Sequence, residues 1–324
     1  MVLKKMKLLI ILGPTSTGKT DLALKLAKKF NGEVIACDSR QVYVGLDIGT
    51  GKLPGGKWKM ENGKWKKGKG FWEINGIKIW MYDVIDPKRQ YTVYDFVKDA
   101  NQVIDGIIAR GKLPIIVGGT GLYLKAVLSG LPNLAIPVNR KLRKELEKLS
   151  LKKLQEKLQK ISPKKWGRMN NSDRQNPRRL IRAVEIASTD FTSEESLRAT
   201  IRGDFNTLKI GLTAPRQVLY QRIDERVVSR IYQGMIEEVK QLYESGLSFK
   251  RMRQLGLEYG ILANYLEGKI TNEEELVKIL QGEIHGFARR QITWFKKEKN
   301  VLWFDIMDQN FPGEVEKIVN RWYY

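Results

Sequence analysis

The sequence has almost no cysteine and almost no histidine: Cys37 and His285 are the only ones among 324 residues. A disulfide within the chain is excluded. So is a Cys/His zinc site, which draws about four ligands. A histidine dyad is excluded as well, so acid–base work falls to a carboxylate, a lysine or a tyrosine. Long hydrophobic runs are also missing. Leu8 to Leu12 is too short for a signal-peptide core or a membrane span, and no other stretch approaches about 18 apolar residues. A soluble cytoplasmic protein that uses no membrane is the expectation.

Acidic residues are few relative to basic ones. There are 36 Asp and Glu against 58 Lys and Arg, a formal charge of +22. Such an excess argues for a polyanionic partner and says nothing about fold. The basic residues spread over several segments instead of forming one tail, which favours nucleic acid. The hydrophobic fraction, 42%, is enough for a sizeable core. The length fits one large domain with an insertion, or two domains.

Hydrophobic patterning gives the architecture. Lys7–Leu12 reads as a buried parallel strand, Lys19–Phe30 as a helix and Glu33–Asp38 as a second strand, together a βαβ unit. Ile77–Val84 and Lys112–Gly118 read as further strands, with a helix over Val93–Arg110 between them. Thr207–Thr213 and Val301–Ile306 follow as strands before a closing helix. The alternation predicts an α/β fold: a P-loop-like parallel sheet covered by helices.

Two segments interrupt it. Gly51–Trp72 carries GKWK twice, with Asn62-Gly63 between the tryptophans, the preferred sequence of a two-residue hairpin turn. A basic hairpin bearing Trp can stack on nucleic acid or cover its own base, and both readings stand. From Pro137 to Asp204 the chain is helical and heavily charged. Leucines at 142, 146, 149, 151, 154 and 158 leave a basic outer face. Asn176 and Pro177 read as the N-cap and first position of another helix. The expected organisation is a catalytic core of residues 1–136 and 205–324, with a helical insertion over 137–204.

Gly13-Pro14-Thr15-Ser16-Thr17-Gly18-Lys19-Thr20 fits G-x-x-x-x-G-K-[ST]. Average composition produces that pattern by chance in about one percent of chains this long, and here a strand precedes it and a helix follows. Loop amides and the helix N-terminus bind phosphate oxygens, Lys19 adds a point charge, and Thr20 can place its hydroxyl on Mg²⁺. This identifies a polyphosphate, not ATP. An energy-coupling ATPase should end an apolar run in Asp. The run at 114–117 ends instead in Gly118-Gly119-Thr120. Asp38 stands at the carboxyl end of a strand beside the loop, where α/β sheets place their ligands.

Eight blocks, in order, resemble the tRNA dimethylallyltransferase family, also called tRNA isopentenyltransferases. They are GPTSTGKT at 13, DSRQVYVGLDIGTGK at 38, DP…YTVYDF from Asp86, PIIVGGTGLYLKAVLSGL at 114, NPRRLIRAVE at 176, IGLTAPRQVLYQRIDERV at 210, GMIEEVKQL at 234 and RRQITWFKKE at 289. The resemblance covers nearly the whole chain and implies the bacterial form, since the cysteines of a C-terminal zinc finger are lacking. It implies transfer of a dimethylallyl group from dimethylallyl diphosphate to N6 of the adenosine just 3′ of the anticodon, position 37, with diphosphate released.

Family roles then fall on particular residues. Asp38 matches the general base, and other readings keep it as a Mg²⁺ ligand or as the cap of the turn at Ser39. Thr120 resembles a threonine at the reaction centre. Arg226 resembles an arginine on the diphosphate, with Arg222 the alternative one helical turn earlier. Ser39, Arg40 and Gln41 are suited to reading a base edge. Arg178, Arg179, Leu180, Ile181 and Arg182 look like a tRNA-contacting segment, and Arg140 like a further contact. A solvated basic face is the alternative for these. Family members commonly carry a His pair where Trp80-Met81-Tyr82-Asp83 stands, so no histidine role is carried over, and His285 matches nothing catalytic. A monomer is expected. Three other functions remain open on sequence: an adenylate isopentenyltransferase, which would not need the basic insertion, a small-molecule P-loop kinase, and a non-catalytic RNA-binding protein.

Overall fold

A computed structural model describes residues 6–52, 65–189 and 205–324. The chain divides into two compact units: Met1–Leu124 with Gly203–Tyr324, and Lys125–Arg202. The second unit begins inside the helix Gly121–Ser129, earlier in sequence than the proline at 137.

The first unit is built on one eight-stranded sheet. Its strands are β1 (Lys7–Leu12), β2 (Gly32–Ala36), β3 (Trp65–Gly68), β4 (Phe71–Ile74), β5 (Ile77–Trp80), β6 (Leu113–Gly118), β7 (Asn206–Thr213) and β8 (Val301–Asp305). They lie in the order β3-β4-β5-β2-β6-β1-β7-β8. From β5 to β8 every pairing is parallel. At the other edge β3, β4 and β5 form an antiparallel meander. Leu8 to Leu12 are wholly inaccessible, which is why β1 reads as an unbroken apolar run instead of an alternating one.

Two expectations change in detail. The strand expected over Ile77–Val84 stops at Trp80, because Met81 (φ 69°) and Asp83 (φ 53°) are left-handed and cannot continue a ladder. The Asn62-Gly63 turn lies outside the described residues. Its tryptophan at 65 opens β3, and the turn that joins β4 to β5 is Asn75-Gly76, with φ 50° and 78°.

In the second unit the leucine-rich stretch is two helices, Arg140–Leu146 and Leu151–Ile161. Ser150 accepts a hydrogen bond from the Lys153 amide and starts the second one afresh. A third helix, Pro177–Ala187, is capped by Asn176 with Pro177 at its start, as the sequence predicts. Leu146, Leu154, Leu158, Leu180, Ile181 and Val184 form the unit's own core.

Candidate active site

The phosphate loop leaves the sheet at Gly13. There φ is 141°, and a Cβ would stand 2.3 Å from the Leu212 carbonyl of β7. No larger residue fits that crossing. Ser16 (φ 64°) and Gly18 (φ 79°) complete the curl, and the helix Lys19–Lys29 begins immediately. The loop is braced from within. The Thr17 hydroxyl donates to the Pro14 carbonyl at 2.9 Å, and Lys19 Nζ to the same oxygen at 2.6 Å. It is also braced from outside: Gln291 Oε1 accepts from the Thr15 amide at 2.8 Å while its Nε2 donates to the Gly119 carbonyl at 2.9 Å. One side chain thus ties the loops after β1 and β6 together.

A cavity of about 520 Å³ opens at this end of the sheet. Thr15, Ser16, Gly18, Lys19 and Thr20 line it, together with Asp38, Arg222, Arg226 and Arg230. Gly13, Pro14 and Thr17 shape the loop from behind. A smaller cavity of about 120 Å³ shares Thr15, Ser16, Asp38, Arg226 and Arg230 with the first and adds Ser39, Arg40, Thr120 and Glu258. Ser16 Oγ is buried without a hydrogen-bond partner among the described residues. An unsatisfied hydroxyl in a phosphate loop suits an incoming phosphate oxygen.

The electrostatics favour an anion. Burial, and then the charge of Arg226, bring the Lys19 ammonium down to about 7, partly opposed by Asp38. Burial and the nearby Arg230 bring Arg226 down to about 9, with Glu258 and Asp38 opposing. Each cation is thus held close to others with too little negative charge to match, a deficit that a diphosphate would supply. Arg226 Nη1 donates to the Thr15 hydroxyl at 3.2 Å, and Arg230 Nη1 to the Gly49 carbonyl at 2.9 Å. Gly51 sits at φ 67°, which favours glycine, and a Cβ there would displace the Arg226 and Arg230 guanidinium groups.

Asp38 follows β2, and its Oδ1 accepts the Arg40 amide at 2.8 Å. That turn fixes the carboxylate against both cavities. Cys37 beside it is no nucleophile: burial, and then the Asp38 charge, push its thiol well above the ordinary range.

Residues 41–298 match the pattern of the family described as IPP transferase. The chain belongs to that family. Residues 6–61 also match one described as isopentenyl transferase. Among curated relatives, tRNA dimethylallyltransferase 1 of Geotalea daltonii is 37% identical over 92% of this chain and 90% of its own length. The tRNA dimethylallyltransferase 2 of Treponema denticola is 41% identical over 90% of this chain and 92% of its own. A crystal structure of the full-length tRNA isopentenylpyrophosphate transferase of Bacillus halodurans superposes with a TM-score of 0.68 at 34% identity, covering 98% of this chain and 97% of the other. A eukaryotic dimethylallyltransferase acting on tRNA gives 0.77 at 25% identity, over 97% of this chain and 78% of that one.

In this IPP transferase the fold brings Asp38, Thr120 and Arg226 onto one cavity with Ser39 and Arg40. Arg222 lines only the larger one. Gln41 lines the larger cavity, with its Nε2 donating to the Thr50 carbonyl at 3.2 Å. In the helical unit Leu180 is wholly buried and Ile181 nearly so, which corrects their place among contact residues: their side chains hold the core. Arg182 is tied to Glu185 and to the carbonyls of Asn133 and Ile136, and Arg179 to Asp173. Arg140 and Arg178 are exposed. The Lys of the GTGK block, Lys52, is only 1% exposed and is held by the Tyr43 carbonyl, Asp47 and Asp83. It braces the cavity wall and is not free to bind a ligand.

Sequence reasoning missed Arg230, Gln291, Glu238 and Glu258. Arg230 was visible as the next step in the four-residue spacing Arg222, Arg226, Arg230. Glu238 accepts the amides of Asp47, Ile48 and Gly49 at 3.0, 2.6 and 3.1 Å, together with the Tyr259 hydroxyl at 2.7 Å. It fixes the loop whose Gly49 carbonyl orients Arg230, and no local pattern announces that.

Proposed function

We propose that this protein transfers a dimethylallyl group from dimethylallyl diphosphate to N6 of the adenosine at tRNA position 37, releasing diphosphate. The observation that carries the reading is the convergence of the phosphate loop, Asp38 and Arg226 on one cavity, in a chain whose relatives are named for this reaction.

The chemistry follows from the charges. The allylic C–O bond breaks as the N6–C bond forms, so carbon becomes positive and the leaving diphosphate negative. Loop amides, Lys19, Arg226 and Arg230 surround the developing anion. An exocyclic amine is a weak nucleophile whose proton turns acidic as the new bond forms. Asp38, which lines the same cavity as the loop, takes that proton, an assistance of about 10²–10⁴-fold. Thr120, which lines the smaller cavity with Asp38 and Arg226, would border the reacting carbon and amine.

Mg²⁺ suits this donor set. Mg²⁺ binds through few protein oxygens and completes its shell with phosphates and water, and the Thr20 hydroxyl beside the loop offers one such oxygen. When bound, the ion neutralises charge on the leaving group.

The adenosine has to leave the anticodon stack to reach a recessed donor. Ser39 and Arg40, which line the smaller cavity with Asp38, are suited to contact its edge. Arg140 and Arg178, on the basic helical unit, would hold the anticodon stem-loop through its phosphates. A monomer suffices, because one unit carries the loop, the acid and the arginines.

Incubating the protein with dimethylallyl diphosphate, Mg²⁺ and undermodified tRNA, followed by mass spectrometry of the nucleosides, tests the reading. Prenylated adenosine is the expected product. Turnover of AMP without tRNA would move the assignment to an adenylate prenyltransferase, and no prenyl transfer to either acceptor would refute it.

A further inference from the structure

Glu258 plays no part in the reaction as derived above, yet it borders the site. It lies at the start of the helix Leu257–Leu266 and lines the smaller cavity with Asp38, Thr120, Arg226 and Arg230. Its Oε1 is 3.5 Å from Arg230 Nη1, and the two side chains are 14% and 9% exposed. It is thus a carboxylate on the same wall as two arginines proposed to receive a diphosphate.

A carboxylate in that place faces a conflict. Without a donor its negative charge offsets the guanidinium of Arg230 and, behind it, that of Arg226. With a diphosphate seated on the same arginines it becomes a like charge inside a poorly solvated pocket. Two anions sharing such a site do not both stay fully ionised, and the proton goes to the one that the neighbouring cations stabilise less. Diphosphate is held by the loop and by Lys19, so the carboxylate yields.

We infer that Glu258 is an exchangeable counter-ion of Arg230, ionised in the donor-free protein and protonated when diphosphate occupies the loop. The inference rests on the reading of the loop as a diphosphate site. The proton comes from solvent as diphosphate enters and returns to solvent as it leaves. Glu258 then recovers its charge and its hold on Arg230, which assists release of the second product. Glu258 is here a positioning residue and not a catalytic one.

The surroundings of the carboxyl support this. The charged and titratable groups around it are Arg226 and Arg230 from the helix Arg216–Tyr232, Asp38 and Arg40 from the segment after β2, its neighbour Tyr259, and, behind Tyr259, Glu238 of the helix Met235–Glu244, which accepts the Tyr259 hydroxyl and is a further carboxylate near Arg230. From the helix Glu273–Phe295 the lining side chains are Ile284 and Phe287, which carry no charge. Burial raises the Glu258 carboxyl above the ordinary range, opposed by Arg230 and Arg226 and aided by Asp38. It is therefore disposed to take a proton once the arginines are neutralised by a ligand.

Calorimetric titration of the full chain and of Glu258→Gln with inorganic diphosphate, at fixed excess Mg²⁺ over pH 5.5 to 8.5, is the test. The protonation of free diphosphate is common to both proteins and cancels in their ratio. Glu258→Gln is expected to bind diphosphate about tenfold more tightly at pH 8, the equivalent of one pKa unit of relieved repulsion. The two affinities should converge at the acid end. Proton uptake, read from titrations in buffers of different ionisation enthalpy, should be smaller for the variant. Product inhibition of Glu258→Gln by diphosphate should strengthen in parallel. An affinity ratio that stays constant across the pH range, or weaker binding by the variant throughout, overturns the inference while leaving the diphosphate site intact. No binding of diphosphate by either protein overturns the loop assignment and this inference together.

Discussion

Arg226 reaches from the helix Arg216–Tyr232 to donate to the hydroxyl of Thr15 at 3.2 Å. The contact joins a phosphate-loop residue to a guanidinium far along the chain and makes Arg226 part of the loop in space. Charge-assisted hydrogen bonds contribute about 1.5–3 kcal/mol each. Arg226→Ala is expected to weaken binding of inorganic diphosphate about 10- to 100-fold by calorimetry. Arg226→Lys should restore only part of the loss, because lysine cannot present a fork of donors. An unchanged affinity in Arg226→Ala would remove the residue from the donor site.

Asp38 is argued to act on the acceptor amine and not on the binding of tRNA. Asp38→Asn keeps the shape of the side chain and its acceptance of the Arg40 amide. In single-turnover prenylation read by mass spectrometry, it should lower the rate of the chemical step about 10²–10⁴-fold. The dissociation constant for tRNA should not change. Equal losses in both would make Asp38 a binding residue.

The parallel half of the sheet was legible because its central strands β1, β2 and β6 are buried on both faces, while β8 at its edge is largely exposed and was read from its apolar run alone. Lys7–Leu12 could be read as a strand from five apolar residues alone, and its bounds agree. The antiparallel edge was harder. Asn62-Gly63 drew attention, while Asn75-Gly76, just before the strand expected over Ile77–Val84, was not read as a turn. The phosphate loop and Asp38 were legible because their chemistry is local: a turn sequence and a strand end. Gln291, Glu238 and Glu258 were not, since each acts on backbone or arginines brought near only by tertiary folding. Leu180 and Ile181 show the opposite error. They sit between Arg179 and Arg182, and grouping them with these arginines set aside the helical period that turns an adjacent apolar pair inward.

The arginines of the helical unit should separate into two classes. Arg178 is exposed. Its replacement by Ala should weaken tRNA binding several-fold and lower the salt dependence of log K by about 1, the signature of one lost phosphate contact. Arg182 is bonded to Glu185 and two carbonyls. Arg182→Ala should lower thermal stability at least as clearly as it lowers affinity. Filter binding across a salt series, with thermal melts of both variants, checks this. A stability loss confined to Arg178→Ala would reverse the assignment.

Glu185 governs the acid stability of the same unit. It is 3% exposed and accepts from Arg143 Nη2 at 2.8 Å, the Asn139 amide at 2.7 Å and Arg182. Burial pushes its carboxyl up. The hydrogen bonds of Arg143 and Arg182, with the Asn139 amide, outweigh that and hold it below the ordinary value of 4.5. A carboxyl more acidic when folded than when unfolded contributes stability that is present above the unfolded value and is lost as pH falls through the folded one. Glu185→Gln keeps the shape but leaves two guanidinium groups without their counter-charge. Removing one partner of a buried pair costs about 3–5 kcal/mol, and the retained amide oxygen should reduce this to about 2. Hydrogen exchange of the helix Pro177–Ala187, corrected for intrinsic rates, should show the variant less protected than wild type at pH 7. The gap should narrow steadily below pH 4.5, because acid protonates the wild-type carboxyl and gives it the charge of the variant. A gap that stays constant down to pH 3 would mean that the Glu185 charge contributes nothing to the fold.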